Sequence, residues 1–188
     1  VLRPELSDGR VLVERFRNEA IAASRIGQEN VVDVVDFGAE EDGALYYVME
    51  ALEGRSLATV LREEGPLPVP RALALLEQVC RALAAAHGSG VVHRDVKPEN
   101  VFIVRVEGVE RAKMLDFGIS HFPTVRGQER LTRAGAIIGT PEYMAPEQAT
   151  GEGVDHRADV YAVGVLAYEI LTGSLPIEAA TPIATLVA

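Results

Sequence analysis

An α+β fold in two lobes is what the sequence predicts, with a small strand-rich part up to about Glu50 followed by a larger, mostly helical part. Three observations carry this. The stretch NVVDVVDFGAEEDGALYYVMEAL holds two β-rich runs around the turn EEDG, which reads as a hairpin of adjacent strands. The texture then changes: PRALALLEQVCRALAAAH, from Pro70 to His87, has proline at a first-turn position and strong helix formers throughout. Further on, ADVYAVGVLAYEILTG reads as a largely buried helix that stops at Gly173.

Ahead of the hairpin, SDGRVLVERFRNEAIAASRIG offers Ser7 or Asp8 as an N-cap and Gly27 as a stop. Leu12, Phe16, Glu19, Ala23 and Ile26 fall at alternating steps of four and three, so they share one helix face. Glu19 stands in the middle of that apolar stripe. Either a cation arrives from elsewhere to pair with it, because an unpaired buried carboxylate is costly, or the helix is rotated and Glu19 meets water at the edge of the face. The stripe alone leaves both open. In the helix from Pro70 to His87 the stripe is Leu76, Val79, Cys80 and Leu83, with Gly88 and Gly90 beyond its end. VFIVRVEGVERAKML is again hairpin-like, turning at Glu107 and Gly108, and the polar segment from Ser120 to Ala134 reads as a loop. No internal repeat and no low-complexity tract interrupts this order.

At 188 residues, 48% of them hydrophobic and 24% charged, the chain is long enough to bury a core in one or two compact units. Its net charge is −10 and its Lys and Arg residues are scattered, so no basic stripe tracks a phosphate backbone, which argues against nucleic acid as a partner. The single cysteine, Cys80, excludes a disulfide framework, fits a reducing and hence cytoplasmic compartment, and is expected as a core thiol. No apolar run approaches the ~20 residues needed to cross a bilayer, and the N-terminus has neither a basic n-region nor an apolar h-region. The chain begins at VLRPEL without a start methionine and stops inside the apolar PIATLVA. It is therefore expected to be a piece of a longer protein, with room for a membrane-anchored parent whose cytosolic part this is.

HRDVKPEN, His93 to Asn100, concentrates the chemistry. Taken alone, Asp95 beside Arg94 reads as an ion-paired turn residue; Asn100 changes that balance. A phosphoryl transfer through a loose transition state is catalysed mostly by positioning and charge neutralisation. It needs a carboxylate for the hydroxyl proton, metal ligands, and cations for the phosphates. The loop supplies Asp95 as the carboxylate, Lys97 as a cation and Asn100 as an oxygen ligand. Sixteen residues beyond Asn100, DFG brings Asp116, the kind of oxygen ligand that Mg²⁺ prefers, with Phe117 for packing and Gly118 for a turn.

In this order, and with Glu19 upstream on a helix, HRDVKPEN, DFG and GTPEYMAPE resemble the eukaryotic-type protein kinases over nearly the whole chain. Lys97 two residues after Asp95 is the serine/threonine form of the loop, and IIGTPEYMAPEQ is most similar to the bacterial kinases of this type. The resemblance implies a two-lobe protein-kinase-like fold. Residues 1–50 would be a remnant of the N-lobe, its helix C and following strands, and 51–188 a partial C-lobe with the catalytic and activation loops. It further implies ATP and Mg²⁺ as cofactors, Ser/Thr hydroxyls of proteins as acceptors, and a kinase homodimer for autophosphorylation.

Residue by residue, the resemblance makes Asp95 the base that orients the substrate hydroxyl and Lys97 the residue that steadies the transferred phosphate. Asn100 and Asp116 resemble the Mg²⁺ ligands, and Thr140 the loop threonine that hydrogen-bonds the catalytic pair. Glu19 resembles the helix carboxylate that pairs with the ATP-clamping lysine, the cation one reading of its stripe required. YYVMEAL resembles the hinge, with Met49 as gatekeeper and the backbone of Glu50 and Leu52 facing adenine; Phe102 resembles the apolar floor, and Glu99 joins this nucleotide-binding set. His93 and Phe117 resemble members of the packed column joining the lobes, Asp159 the carboxylate that ties down the catalytic-loop backbone, and Glu147 the one that pairs with an arginine far downstream. Arg94 resembles the arginine met by a phosphorylated loop residue, for which Thr132 comes before Thr124 and Ser120, while a neighbouring second site is Ala134 here.

Two departures stand beside these matches. The glycine-rich loop and the strand lysine are absent from the 188 residues, VLRPEL resembling what directly follows that lysine; the C-terminal helices with the arginine partner of Glu147 are absent too. The segment by itself is therefore expected to be inactive or nearly so. A pseudokinase or scaffold is the alternative from the binding class, and the joint presence of Asp95, Asn100 and Asp116 speaks against it. A small-molecule kinase is disfavoured because GTPEYMAPEQ resembles a peptide-docking loop.

Overall fold

Two small antiparallel sheets and four helices of the larger part make up what the structure, a computed structural model, describes over residues 26–40, 45–117, 140–150 and 153–177. The expected first helix with Glu19, and the loop from Ser120 to Ala134 with Thr124 and Thr132, lie outside the described residues. Strand β1 (Val34–Ala39) pairs with β2 (Leu45–Met49) in the expected hairpin, and the register shifts between Val34 and Asp36. After Met49 come two elements that the sequence reading had not assigned, β3 (Gly54–Ser56) and helix α1 (Leu57–Glu64). Ser56 caps this helix, its Oγ accepting from the Thr59 amide at 3.1 Å, and buried Leu57 and Val60 anchor it. At Gly54 a Cβ would lie 2.1 Å from the Ile103 carbonyl oxygen, so strand β3 can approach its neighbour only with glycine there.

Helix α2 (Val69–Gly88) is the predicted long helix, with Pro70 in its first turn. Its buried face is Ala72, Leu75, Leu76, Val79, Ala82, Leu83 and Ala86. Cys80, expected in that face, is exposed instead. One residue rotates the helix by about 100°, so the position after the fully covered Val79 is carried out of the core. Strands β4 (Val101–Val106) and β5 (Val109–Met114) form the second predicted hairpin. Its turn residues Glu107 and Gly108 both have positive φ, 53° and 82°, as a two-residue turn matching the strand twist requires. Strand β3 adds to the outer edge, giving the order β3-β4-β5. Helix α3 (Pro146–Thr150) is short, and helix α4 (Arg157–Thr172) ends, as predicted, at Gly173 with φ 75°.

Helix α2 packs between β5 and α4, and the core runs continuously from Leu57 and Val60 through Leu75, Val79 and Leu83 to Val101, Met114, Leu166 and Ile170. Each such side chain contributes about 1.5–3 kcal/mol when fully withdrawn from water. The segment before β1 joins this core: Val32 donates to the Met114 carbonyl at 3.0 Å, and Met114 donates to Asn30 at 2.7 Å. Asn30 is buried with its polar atoms satisfied, giving Nδ2 to Gln78 and to the Ala112 carbonyl and accepting at Oδ1 from Gln28. The start of the first hairpin is thereby fastened to β5. Among the described residues no helix is long and apolar enough to cross a membrane.

Candidate active site

Between α2 and the 3₁₀ turn Pro98–Asn100 the chain makes a loop whose backbone is held from the core rather than by its own pairing. Arg94 has φ 67°, a left-handed conformation that costs a non-glycine residue about 1–3 kcal/mol unless its surroundings impose it. Here they do. Asp159, fully buried on α4, accepts from the Arg94 amide at Oδ1 (2.7 Å) and from the His93 amide at Oδ2 (2.9 Å). His87 Nε2 meets the same Oδ2 at 2.7 Å. The Arg94 carbonyl accepts from Gln148 Nε2 at 2.9 Å, so both backbone polar groups of the strained residue are engaged. Gln148 is itself fixed, its Oε1 accepting the Ala145 amide that opens α3. The Arg94 Nε is buried with no hydrogen-bond partner among the described residues.

His93 is completely buried beside this turn. Its Nδ1 accepts from the Asp95 amide at 3.3 Å, so its Nε2 carries the hydrogen and donates to the Leu115 carbonyl at 2.8 Å. Burial keeps the ring neutral by lowering its pKa, against the opposing pull of Asp159 and the Leu115 carbonyl. The ring meets Phe117 edge-on at 4.7 Å, which joins the loop to the DFG segment.

Asp95, Lys97, Asn100 and Thr140 are brought together by this arrangement. Lys97 Nζ lies 2.8 Å from Asp95 Oδ2 and 3.1 Å from Oδ1, and donates to Thr140 Oγ1 at 3.0 Å. Asn100 gives Nδ2 to the Asp95 carbonyl (2.7 Å) and to Asp95 Oδ2 (3.0 Å). Both partners are acceptors, which fixes the amide orientation and leaves Asn100 Oδ1 free of any donor among the described residues. Asp116, at φ 56°, accepts the Tyr47 hydroxyl at Oδ1 (2.5 Å), and its Oδ2 likewise has no donor there. Burial first, and then Asp116, holds the Tyr47 phenol well above its ordinary range, so Tyr47 is the donor.

These two free oxygens are the test of a metal site. Among the described residues no cluster of three or more His, Cys, Asp or Glu could hold a metal ion by protein ligands alone. An amide oxygen and one carboxylate oxygen suit a hard cation that completes its shell with phosphates and water, which is the habit of Mg²⁺. The residues present fit that group.

Of the residues expected to face a nucleotide, Met49 is exposed at the end of β2 and Leu52 is half-buried. The Glu50 amide donates to Asp33, while its carboxylate pairs with Lys113 at 2.6 Å and accepts the Asp33 amide at 2.9 Å. Burial alone would raise the Glu50 pKa, but Lys113 and the Asp33 amide together lower it. Phe102 is half-buried on β4, opposite Lys113. Glu99 is exposed and lines a cavity of about 420 Å³ with Arg62, Tyr143 and Glu169. The Tyr143 hydroxyl donates to Glu169, whose carboxyl is pushed up by burial and by the charge of Glu99. Glu147 forms no ion pair among the described residues, and Glu19 lies outside them.

Sequence reasoning missed Tyr47, Gln148, His87 and Lys113. Gln148 alone had a local signal, three residues after Ala145 at a helix start, where a glutamine can cap backward.

The protein kinase domain family model matches residues 4–186. The chain is 48% identical over 180 residues to the serine/threonine-protein kinase pkn3 of Myxococcus xanthus, covering 95% of this chain and 33% of that protein. It is 42% identical to the serine/threonine-protein kinase PknH of Mycobacterium tuberculosis, over 95% of this chain and 28% of that one. The chain thus spans about a third or less of these relatives. Among solved structures, the PknI kinase domain of Mycobacterium tuberculosis superposes with a TM-score of 0.73 at 30% identity, over 96% of this chain and 64% of that one.

The neutral state of His93 sets a pH dependence. The unfolded chain takes up a proton at the ordinary value of 6.5 while the buried ring resists it, so stability carried by His93 is full above that pH and lost as pH falls through and below it. Urea unfolding between about pH 7 and 5 is expected to show stability falling more steeply, by up to about 1.4 kcal/mol per pH unit, than in His93→Asn. Equal slopes would mean that the folded ring protonates freely.

Proposed function

The chain belongs to the protein kinase family, with bacterial serine/threonine kinases among its relatives, and on that premise we propose that the protein carrying it transfers the γ-phosphoryl group of ATP to Ser or Thr hydroxyls of proteins. The observation that carries this reading is Asp95 held in place by Lys97 and Asn100, with Thr140 on the far side of Lys97. Asp95 Oδ1, touched only by Lys97 among the described residues, takes the proton of the acceptor hydroxyl. The hydroxyl oxygen bonds to the γ-phosphorus as the bond to the β-phosphate oxygen breaks and ADP leaves. Lys97 neutralises charge on the transferred group, and Thr140 keeps its ammonium directed at the site. Asn100 Oδ1 and Asp116 Oδ2 are the atoms that would hold Mg²⁺, which when bound supplies neutralising charge to the phosphates. Met49, Phe102 and the backbone of Glu50 and Leu52 are read as the adenine side, Glu99 as a member of the same nucleotide-binding set, and Glu19 as the partner of the clamping lysine.

Residues 1–50 are read as part of the smaller lobe and 51–188 as part of the larger. A cytosolic location, protein substrates and a homodimer for autophosphorylation belong to the same reading. The binding-only alternative has no observation in its favour, since the three residues it commonly loses are present.

In the full-length protein, Asp95→Asn keeps the shape but cannot take the proton, so ATP-dependent phosphorylation of a generic Ser/Thr protein should fall by at least about 10²-fold. The circular dichroism spectrum should not change. Near-parental turnover would remove Asp95 from the reaction.

Residues 1–188 alone are expected to transfer little. They contain two lysines, Lys97 and Lys113, engaged with Asp95 and Glu50, so neither is available to clamp the nucleotide phosphates. Loss of one such electrostatic contact typically costs about 10²–10³ in rate. Activity of the isolated segment equal to that of the full-length protein would show that no clamp from outside it is needed.

A further inference from the structure

Tyr47 has no part in the transfer described above, yet its hydroxyl reaches across 69 positions of sequence to one oxygen of Asp116. The backbone around Asp116 is already pinned. The Leu115 amide donates to the Asn100 carbonyl at 2.9 Å, and Phe117 is buried against His93. What stays adjustable at Asp116 is the direction of its carboxyl group, and the Tyr47 hydroxyl fixes that. The donor is held as firmly as the acceptor: Tyr47 sits on β2 opposite Phe37 of β1, and the strand continues into Glu50, which is tied to Lys113 of β5. With Oδ1 occupied by the hydroxyl, Oδ2 is the carboxylate oxygen left without a donor among the described residues.

We propose that Tyr47 is a positioning residue of the metal–nucleotide site: by holding Oδ1 of Asp116 it presents Oδ2 to a divalent cation, so cation affinity depends on the seating of the β1–β2 hairpin. This rests on the reading of Asp116 as a metal ligand. Partners that orient a ligand side chain typically account for about 10–100-fold in metal affinity. The Tyr47 side chain is half-buried, and Tyr47→Phe removes the hydroxyl that reaches Asp116 while keeping the aromatic ring.

The test titrates the full-length protein with Mn²⁺ at saturating ADP, reading free Mn²⁺ by its electron paramagnetic resonance signal. It compares wild type, Tyr47→Phe, Asp116→Asn and the double variant, each with a metal-free melting curve. Tyr47→Phe is expected to raise the Mn²⁺ Kd about tenfold or more, to leave the metal-free melting curve unchanged, and to have no further effect once Asp116 is Asn. Wild-type Mn²⁺ affinity in Tyr47→Phe overturns the proposal. So does an equal additional loss in the Asp116→Asn background, or a Tyr47→Phe protein that melts early or fails to fold without metal, since the hydroxyl would then serve the fold. Asp116→Asn with wild-type Mn²⁺ affinity would instead remove Asp116 from the metal site, and the proposal would fall with that reading.

Discussion

The candidate site depends on a carboxylate that touches no substrate. Asp159 lies at the first turn of α4, wholly withdrawn from water, and an isolated charge there would be several kcal/mol out of balance. Three donors compensate it: the amides of His93 and Arg94 and the ring of His87. Hydrogen bonds to a charged group are worth about 1.5–3 kcal/mol each, enough in sum to hold Arg94 at a backbone angle that it would not adopt freely. The next residue is Asp95. Its direction follows from that turn, and Lys97 and Asn100 close on it from the other side. Helix α4 is buried along Ala162, Leu166 and Ile170, so the loop inherits the rigidity of the core.

A second set of contacts joins the strand hairpin to this core. Asn30 and Val32 run beside the end of β5, Glu50 is clasped by Lys113, and Tyr47 reaches Asp116. Each contact meets β5 or the residues just after it. The short path from Met114 to Phe117 therefore receives restraints from the hairpin, from the His93–Asn100 loop through Asn100, and from His93 by ring packing. Asp116 stands in the middle of that path.

What the sequence disclosed follows the range of the interactions. HRDVKPEN is legible because its chemistry is packed into eight residues, and α2, α4 and both hairpins are legible because their apolar periods are long or their turns are marked by glycine. Strand β3 has three residues, too few to show a period, although Ser56 three places before Thr59 was an available cap signal for α1. Cys80 was misplaced because the expected stripe ran through Val79 and Cys80 alike, whereas the face that packs against β5 and α4 includes Val79 and leaves Cys80 exposed. Tyr47 with Asp116 and Glu50 with Lys113 are 69 and 63 residues apart, and no local pattern announces them. Asp159 came from family resemblance; in isolation an aspartate in the first turn of a helix reads as a solvated charge that complements the dipole.

Amide hydrogen exchange at His93 and Arg94 in the full-length protein, wild type against Asp159→Asn, tests most directly whether this carboxylate holds the loop. Loss of charge-assisted bonds should speed exchange at these two amides by about 10–100-fold while the core amides of α2 stay protected. Unchanged protection at His93 and Arg94 in a folded Asp159→Asn protein would contradict the account, because the loop would then be held by something other than Asp159.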